Sequence, residues 1–201
     1  MKTDPQRYLS TADLIMGSLI KKVPQPQWET HEDLYRFLVE AIISQQLSDK
    51  AASTITKRFV ALFSPHSFPT ADELLTADSH LVRSAGISFS KISYMKDVAE
   101  KAKIGYLDID HLKTVSDEDV ISYLTHIRGI GRWTAEMTLI FALRREDVFS
   151  FGDAGLRSAI ERWYTVKKPL TEKVAKRISD KWKPYRSWAC RYLWASLSLP
   201  K

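Results

Sequence analysis

Two features of residues 124–157, LTHIRGIGRWTAEMTLIFALRREDVFSFGDAGLR, are equipped for chemistry. The first is the turn Ile127-Arg128-Gly129-Ile130-Gly131. Its glycines can take positive φ at no Cβ cost and let the backbone come close to whatever it faces. Ile130, between them, is expected to point inward and pin the turn. From Arg132 the pattern becomes helical, with Trp133, Met137, Ile140 and Phe141 on one stripe. The start of such a helix presents amides without intrahelical acceptors and the positive end of a dipole, a natural seat for an anion. The second feature is Asp153, a lone acid after Gly152 where another helical pattern begins. It can serve as an N-cap, and a helix N-terminus favours its ionised form while burial opposes it.

Helices must position both features. Residues 10–13, Ser-Thr-Ala-Asp, are expected to open a helix running to Ile20 and stopped by Pro24 and Pro26. Thr30 is expected to cap the next, where Leu34, Phe37, Leu38, Ala41 and Ile42 fall at helical spacing as far as Gln45. Ser48 opens another helix to Phe63. Thr70-Ala71-Asp72-Glu73 reads as a capping box, Gly86 as a C-cap, and 90–102 as helix. Ser116-Asp117-Glu118-Asp119 caps the helix entering the glycine turn, and 171–182 and 184–197 complete the series. No alternating strand, internal repeat or low-complexity tract is evident, so the fold class is all-α. Helical periodicity lapses at 103–113, the expected linker.

Composition narrows the function classes. The chain has 201 residues, 44% hydrophobic and 27% charged, enough for a real core. The apolar run at 137–143 is too short to span a bilayer and no signal-peptide pattern opens the chain, so a cytosolic setting and no membrane partner are expected. Cys190 is the one cysteine, which excludes an intramolecular disulfide and any cysteine-ligated zinc or iron–sulfur centre. The five histidines lie at no metal-ligand spacing. Residues 155–201 hold 12 Lys/Arg against 3 Asp/Glu, although the whole chain is only +6. This basic C-terminal quarter suits a polyanionic partner.

The nine residues from Ile127 to Ala135 follow a hydrophobic-x-Gly-hydrophobic-Gly-x-x-Thr-Ala pattern that resembles the helix-hairpin-helix element of DNA repair glycosylases. Asp147-Val148-Phe149 and then Gly152-Asp153-Ala154-Gly155-Leu156 are similar to the loop carrying that family's catalytic aspartate, at the family's spacing from the hairpin. The resemblance implies two α-helical lobes with the active-site cleft between them. One lobe would comprise residues 1–30 and 155–201. The other, 31–154, would hold the hairpin element at about 116–143 and the aspartate loop. Within the superfamily the chain resembles the alkylpurine branch, of the 3-methyladenine DNA glycosylase II type, without room for the extra β-rich N-terminal domain found there. It cannot carry the four-cysteine cluster of the endonuclease III type.

That resemblance implies a monofunctional enzyme of base excision repair. It would flip alkylated purines, of the 3-methyladenine and 7-methylguanine type, out of double-stranded DNA and hydrolyse the N-glycosidic bond. No cofactor is required. Asp153 would stabilise the positive charge that builds on the deoxyribose and orient or deprotonate the attacking water. Trp133 stands where bifunctional members carry a Schiff-base lysine, and no lysine lies between Lys113 and Lys167, so strand cleavage is not expected. Trp133, Trp194 and Met137 are implied in the base pocket, where ring faces attract a cationic base by roughly 0.5–2 kcal/mol. Met137 and Ala154 replace tyrosines of the better-known bacterial enzyme, which implies a roomier site. Ile43-Ser44-Gln45-Gln46-Leu47-Ser48 resembles the wedge loop, with Gln46 or Leu47 filling the gap left by the flipped base. Gly129, Gly131, Arg132 and Thr134 would grip phosphate, as would Ser90 and Lys91 in a second turn. Na⁺ or K⁺ would rest on the carbonyls of Thr125, Ile127 and Ile130. The protein would act as a monomer, nucleoid-associated in a bacterial or archaeal cytoplasm or nuclear in a eukaryote. Two other readings stay open: excision of another lesion (oxidised guanine, uracil or hypoxanthine), and a non-catalytic module that binds damaged DNA.

Overall fold

The computed structural model describes residues 4–27, 31 and 33–199, and among them every regular element is helical. The chain divides into two units by packing: Met1–Glu29 with Leu139–Lys201, and Thr30–Thr138. Residues 139–154 therefore fold with the terminal helices, whereas the sequence places them with the hairpin.

The terminal unit begins with α1 (Pro5–Ala12) and α2 (Leu14–Ile20). The sequence predicts one helix opening at 10–13. Instead Asp4 caps α1 through the amides of Gln6 and Arg7, Pro5 fills the first position where no N–H is needed, and Asp13 caps α2. The Asp13 carboxylate, 5% exposed, accepts from the amides of Ile15 (3.0 Å) and Met16 (3.2 Å), the Tyr164 hydroxyl (3.0 Å) and the Trp182 indole (3.2 Å). Those donors replace its lost water, which makes burial tolerable. Burial, reinforced by the Asp13 charge, pushes the Tyr164 hydroxyl far above the usual tyrosine range, so it remains a donor. The unit closes with α11 (Ala154–Trp163), α12 (Glu172–Ser179) and α13 (Arg186–Ala195). Its core joins Leu9, Met16, Leu156, Ile160, Trp182 and Leu193.

In the other unit Asp33 caps α3 (Leu34–Ser44) through the Arg36 amide; Thr30, expected in that role, lies outside the described residues. Ser48 caps α4 (Asp49–Ala61), and Thr70 with Glu73 forms the capping box of α5 (Ala71–Thr76), both as the spacing predicts. Next come α6 (Ser79–Ser84), α7 (Phe89–Lys103), α8 (Ile109–Thr114), α9 (Asp117–Thr125) and α10 (Arg132–Met137). Helix α7 packs against α3, α5 and α6, and buries Ile92, Met95, Val98 and Ala99. The segment 103–113 is no linker between units. Tyr106 stacks on Tyr123 of α9 at 4.0 Å, and each hydroxyl donates to the other residue's carbonyl (3.0 and 2.9 Å).

Between α9 and α10 the turn folds as its residue types require. Ile127 and Ile130 are buried, each worth about 1.5–3 kcal/mol by area. Gly129 sits at φ +81, and a Cβ there would lie 2.4 Å from Tyr94 Cδ2. Gly131 differs from expectation: its φ is −93, so it is extended, and an added Cβ would meet nothing within 4 Å. Beyond α10 the chain widens into a π-helical turn, Thr138–Ala142. The predicted apolar stripe is broken at its start, because α10 turns Thr134, Ala135 and Met137 inward and leaves Trp133 39% exposed. Among the described residues no helix is long and apolar enough to cross a membrane.

The two glycines should respond differently to alanine. Gly129→Ala combines a left-handed φ with a clash and is expected to cost about 2–4 kcal/mol. Gly131→Ala should cost less than about 1 kcal/mol. Denaturant unfolding midpoints check this, and equal losses at the two positions would contradict the geometry.

Candidate functional site

Asp153 begins α11, and its Oδ1 accepts from the Leu156 amide at 2.7 Å and from the Trp194 indole Nε1–H at 2.9 Å. The N-cap role and the chemical role therefore coexist. The two donors hold the carboxylate at a helix N-terminus, and the residue stays half-buried. Gly155 makes the arrangement possible: a Cβ there would lie 3.1 Å from Asp153 Oδ1 and 3.3 Å from Trp194 Cδ1. Trp194 in turn stacks on Phe141 of the π-helical turn, with centroids 5.6 Å apart and planes tilted by 29°. The Arg191 guanidinium lies 5.5 Å from the Phe141 ring centroid.

The loop leading to Asp153 is strapped to α13. The Arg186 guanidinium grips the Asp147 carboxylate at 2.7 and 3.1 Å and donates to the Asp147 carbonyl at 2.7 Å. The Ser187 amide donates to the Glu146 carbonyl (2.9 Å), and the Val148 amide donates to Ser187 Oγ (3.0 Å). Arg157, one turn into α11, donates to the carbonyls of Phe151 (3.0 Å) and Gly152 (2.8 Å). These bonds are why residues 139–154 belong with the terminal helices. Phe141, Arg157 and Arg186 were not among the expected site residues. Asp147 and Arg186 are of opposite charge, but 39 positions separate them, so spacing alone gives no signal of the pair.

The other unit holds the remaining expected residues. No side chain caps α10 at Gly131, whose extended backbone faces open space. The neighbouring side chains behave differently from expectation. Arg132 makes a fork on Glu118 (2.7 and 3.1 Å) and donates to Glu136 (2.9 Å), which holds the Glu118 carboxyl below its usual range. Thr134 is buried, so its hydroxyl is not at the surface. Met137 is 7% exposed and belongs to the inner face of α10, whereas Trp133 presents its ring. The Arg132 and Thr134 side chains are therefore taken up within the unit. Among the described residues no cluster of His, Cys, Asp or Glu side chains is able to hold a metal ion. A monovalent ion on the carbonyls of Thr125, Ile127 and Ile130 would use neutral oxygens, which suit hard cations; the Ile127 carbonyl already accepts from the Ile130 amide at 3.1 Å.

In the loop between α3 and α4, Gln46 is exposed with φ +58, a left-handed conformation costing a non-glycine residue about 1–2 kcal/mol. Leu47 beside it is 38% exposed. Gln45 turns the opposite way and donates its side-chain amide to the Gly129 carbonyl at 2.9 Å. Lys91, expected on phosphate, instead donates to the carbonyls of Ile43 (2.8 Å) and Gln45 (2.7 Å) at the end of α3. Its partial burial lowers the ammonium pKa. Ser88 caps α7 through the Lys91 amide, and Ser90 remains exposed in its first turn. A cavity of about 230 Å³ lies here, lined by Gln45, Gln46, Leu47, Arg83, Ser88 and Lys91 among others.

Known proteins with the same arrangement give it a family. The pattern described as "HhH-GPD superfamily base excision DNA repair protein" matches residues 39–184, a span that includes the α3–α4 loop, the glycine turn and Asp153. The chain is 35% identical over 202 residues to DNA-3-methyladenine glycosylase 1 of Schizosaccharomyces pombe, covering 98% of this chain and 88% of that one. Its structure is similar to that of the S. pombe 3-methyladenine DNA glycosylase Mag1 in complex with abasic DNA, with a TM-score of 0.90, 33% identity and 98% of each chain covered. It is also similar to a DNA-3-methyladenine glycosidase from Bacillus halodurans, with a TM-score of 0.83, 33% identity and coverage of 98% of this chain and 90% of that one. The chain belongs to the HhH-GPD superfamily of base excision DNA repair proteins.

Proposed function

We propose that this protein excises alkylated purines, of the 3-methyladenine type, from double-stranded DNA by hydrolysing the N-glycosidic bond. The observation that carries this reading is the Asp153 carboxylate, held by the Leu156 amide and the Trp194 indole on a loop strapped down by Arg186 and Arg157. As the bond to the base lengthens, positive charge collects on the deoxyribose. A preformed anion opposite that charge lowers the barrier without reorganising at the moment of reaction. The same carboxylate orients the attacking water or takes its proton.

N3- and N7-alkylated purines leave as neutral bases and need little acid catalysis. Their cationic ring is attracted to an exposed indole face such as that of Trp133. The backbone at Gly129 and Gly131 and the first turn of α10 hold the DNA backbone, with Na⁺ or K⁺ on the nearby carbonyls of Thr125, Ile127 and Ile130. Gln46, aided by Leu47, enters the stack as the base leaves it. The relatives named 3-methyladenine glycosylases support the choice of lesion. The protein works as a monomer where the genome lies, in a nucleoid or a nucleus.

Asp153→Asn is expected to slow single-turnover release of 3-methyladenine from methylated DNA at least about a hundredfold, while affinity for DNA with a tetrahydrofuran abasic site stays within threefold. Retained turnover would remove Asp153 from the mechanism. With tryptophan at 133 in place of an amine, the product strand should remain intact until heated in alkali. Strand breaks without alkali, or a complex trapped by borohydride, would contradict hydrolysis as the sole chemistry.

A further inference from the structure

We infer that Gln45 and Lys91 are positioning residues that couple the hairpin to the loop carrying Gln46, so that a backbone-bound hairpin holds the plug ready to enter the stack. The inference rests on the excision reading above.

Three bonds define the device. Lys91 Nζ, on α7, donates to the carbonyls of Ile43 (2.8 Å) and Gln45 (2.7 Å), and Gln45 Nε2 donates to the Gly129 carbonyl (2.9 Å). Each end has a reason to be where it is. The last carbonyls of a helix lack intrahelical donors, and an ammonium there both satisfies them and meets the negative end of the dipole. The Gly129 carbonyl belongs to a residue with a left-handed φ, packed so close to the Tyr94 ring that a Cβ would not fit. Gln46 follows directly, exposed and left-handed, in a conformation that persists only when its surroundings dictate it. The bonds on either side of Gln45 are those surroundings. Partial burial of Lys91 lowers its ammonium pKa, in keeping with a side chain laid against these carbonyls.

Coupling of this kind predicts an effect on rate rather than affinity, and one that depends on the plug. In single-turnover excision from methylated DNA, Gln45→Leu should lower the maximal rate at least tenfold and leave the half-saturating protein concentration within twofold. On a Gln46→Ala background the same substitution should cost less than twofold, because a loop without its plug has nothing to position. Lys91→Met should repeat the pattern and Lys91→Arg should restore it, which carries the test if Gln45→Leu fails to fold. Multiplicative losses in the double variant, a full rate in Gln46→Ala, or rate losses that track thermal unfolding would overturn the inference. An unmodified protein that releases no base from methylated DNA would overturn the excision reading; an active protein indifferent to Gln45 and Lys91 overturns this one alone.

Discussion

In the proposed reaction a carboxylate faces a developing cation and has to be fixed in place without being neutralised. Two donors that carry no formal charge hold Asp153 at Oδ1: the backbone amide of Leu156 and the indole N–H of Trp194. Arg186 closes on Asp147, and Arg157 closes on the carbonyls of Phe151 and Gly152. They stiffen the loop around the acid. The cost of this tightness is visible at Gly155, where a single added carbon would press on both Asp153 and Trp194. Fixed dipoles and a rigid loop are what electrostatic catalysis asks for, since nothing must rearrange when charge appears.

The unit from Thr30 to Thr138 is arranged for a different task. Its turn offers main-chain groups, because Arg132 is engaged by Glu118 and Glu136 and Thr134 faces inward. Backbone contacts to phosphate carry no sequence information, which fits a protein that must inspect DNA wherever damage falls. Gly131 is informative here. Gly129 is a glycine for internal reasons, its φ and the Tyr94 ring, whereas the protein itself gives Gly131 no steric need to lack a side chain.

Much of this was legible in the sequence, for identifiable reasons. Caps and glycine turns are local, so Ser48, the Thr70–Glu73 box, Gly86 and the inward Ile130 all fell where spacing placed them. Asp153 was legible because it both caps a helix and stands at a fixed distance from the hairpin. The misses are long-range. Lys91 and Arg132, both expected on phosphate, make bonds within the chain: carbonyls 46 and 48 positions away accept from the first and Glu118 from the second. The unit boundary lies at 138/139 and not after Asp153, because bonds from Arg186 and Ser187 reach back 39 to 41 positions. Phe141 could not be placed beside Trp194 by counting at 3.6 residues per turn, since a π-helical turn intervenes.

The account turns on Asp153 acting as a fixed negative charge opposite the sugar, and a charged mimic of that sugar probes it without any bond being broken. The measurement is the affinity of the protein for duplex DNA carrying a protonated pyrrolidine in place of one deoxyribose, against the same duplex with neutral tetrahydrofuran. Preference for the cation by at least tenfold, lost when Asp153 is replaced by asparagine, is the predicted result. Equal affinity for the two duplexes, or a preference that survives the replacement, would contradict it.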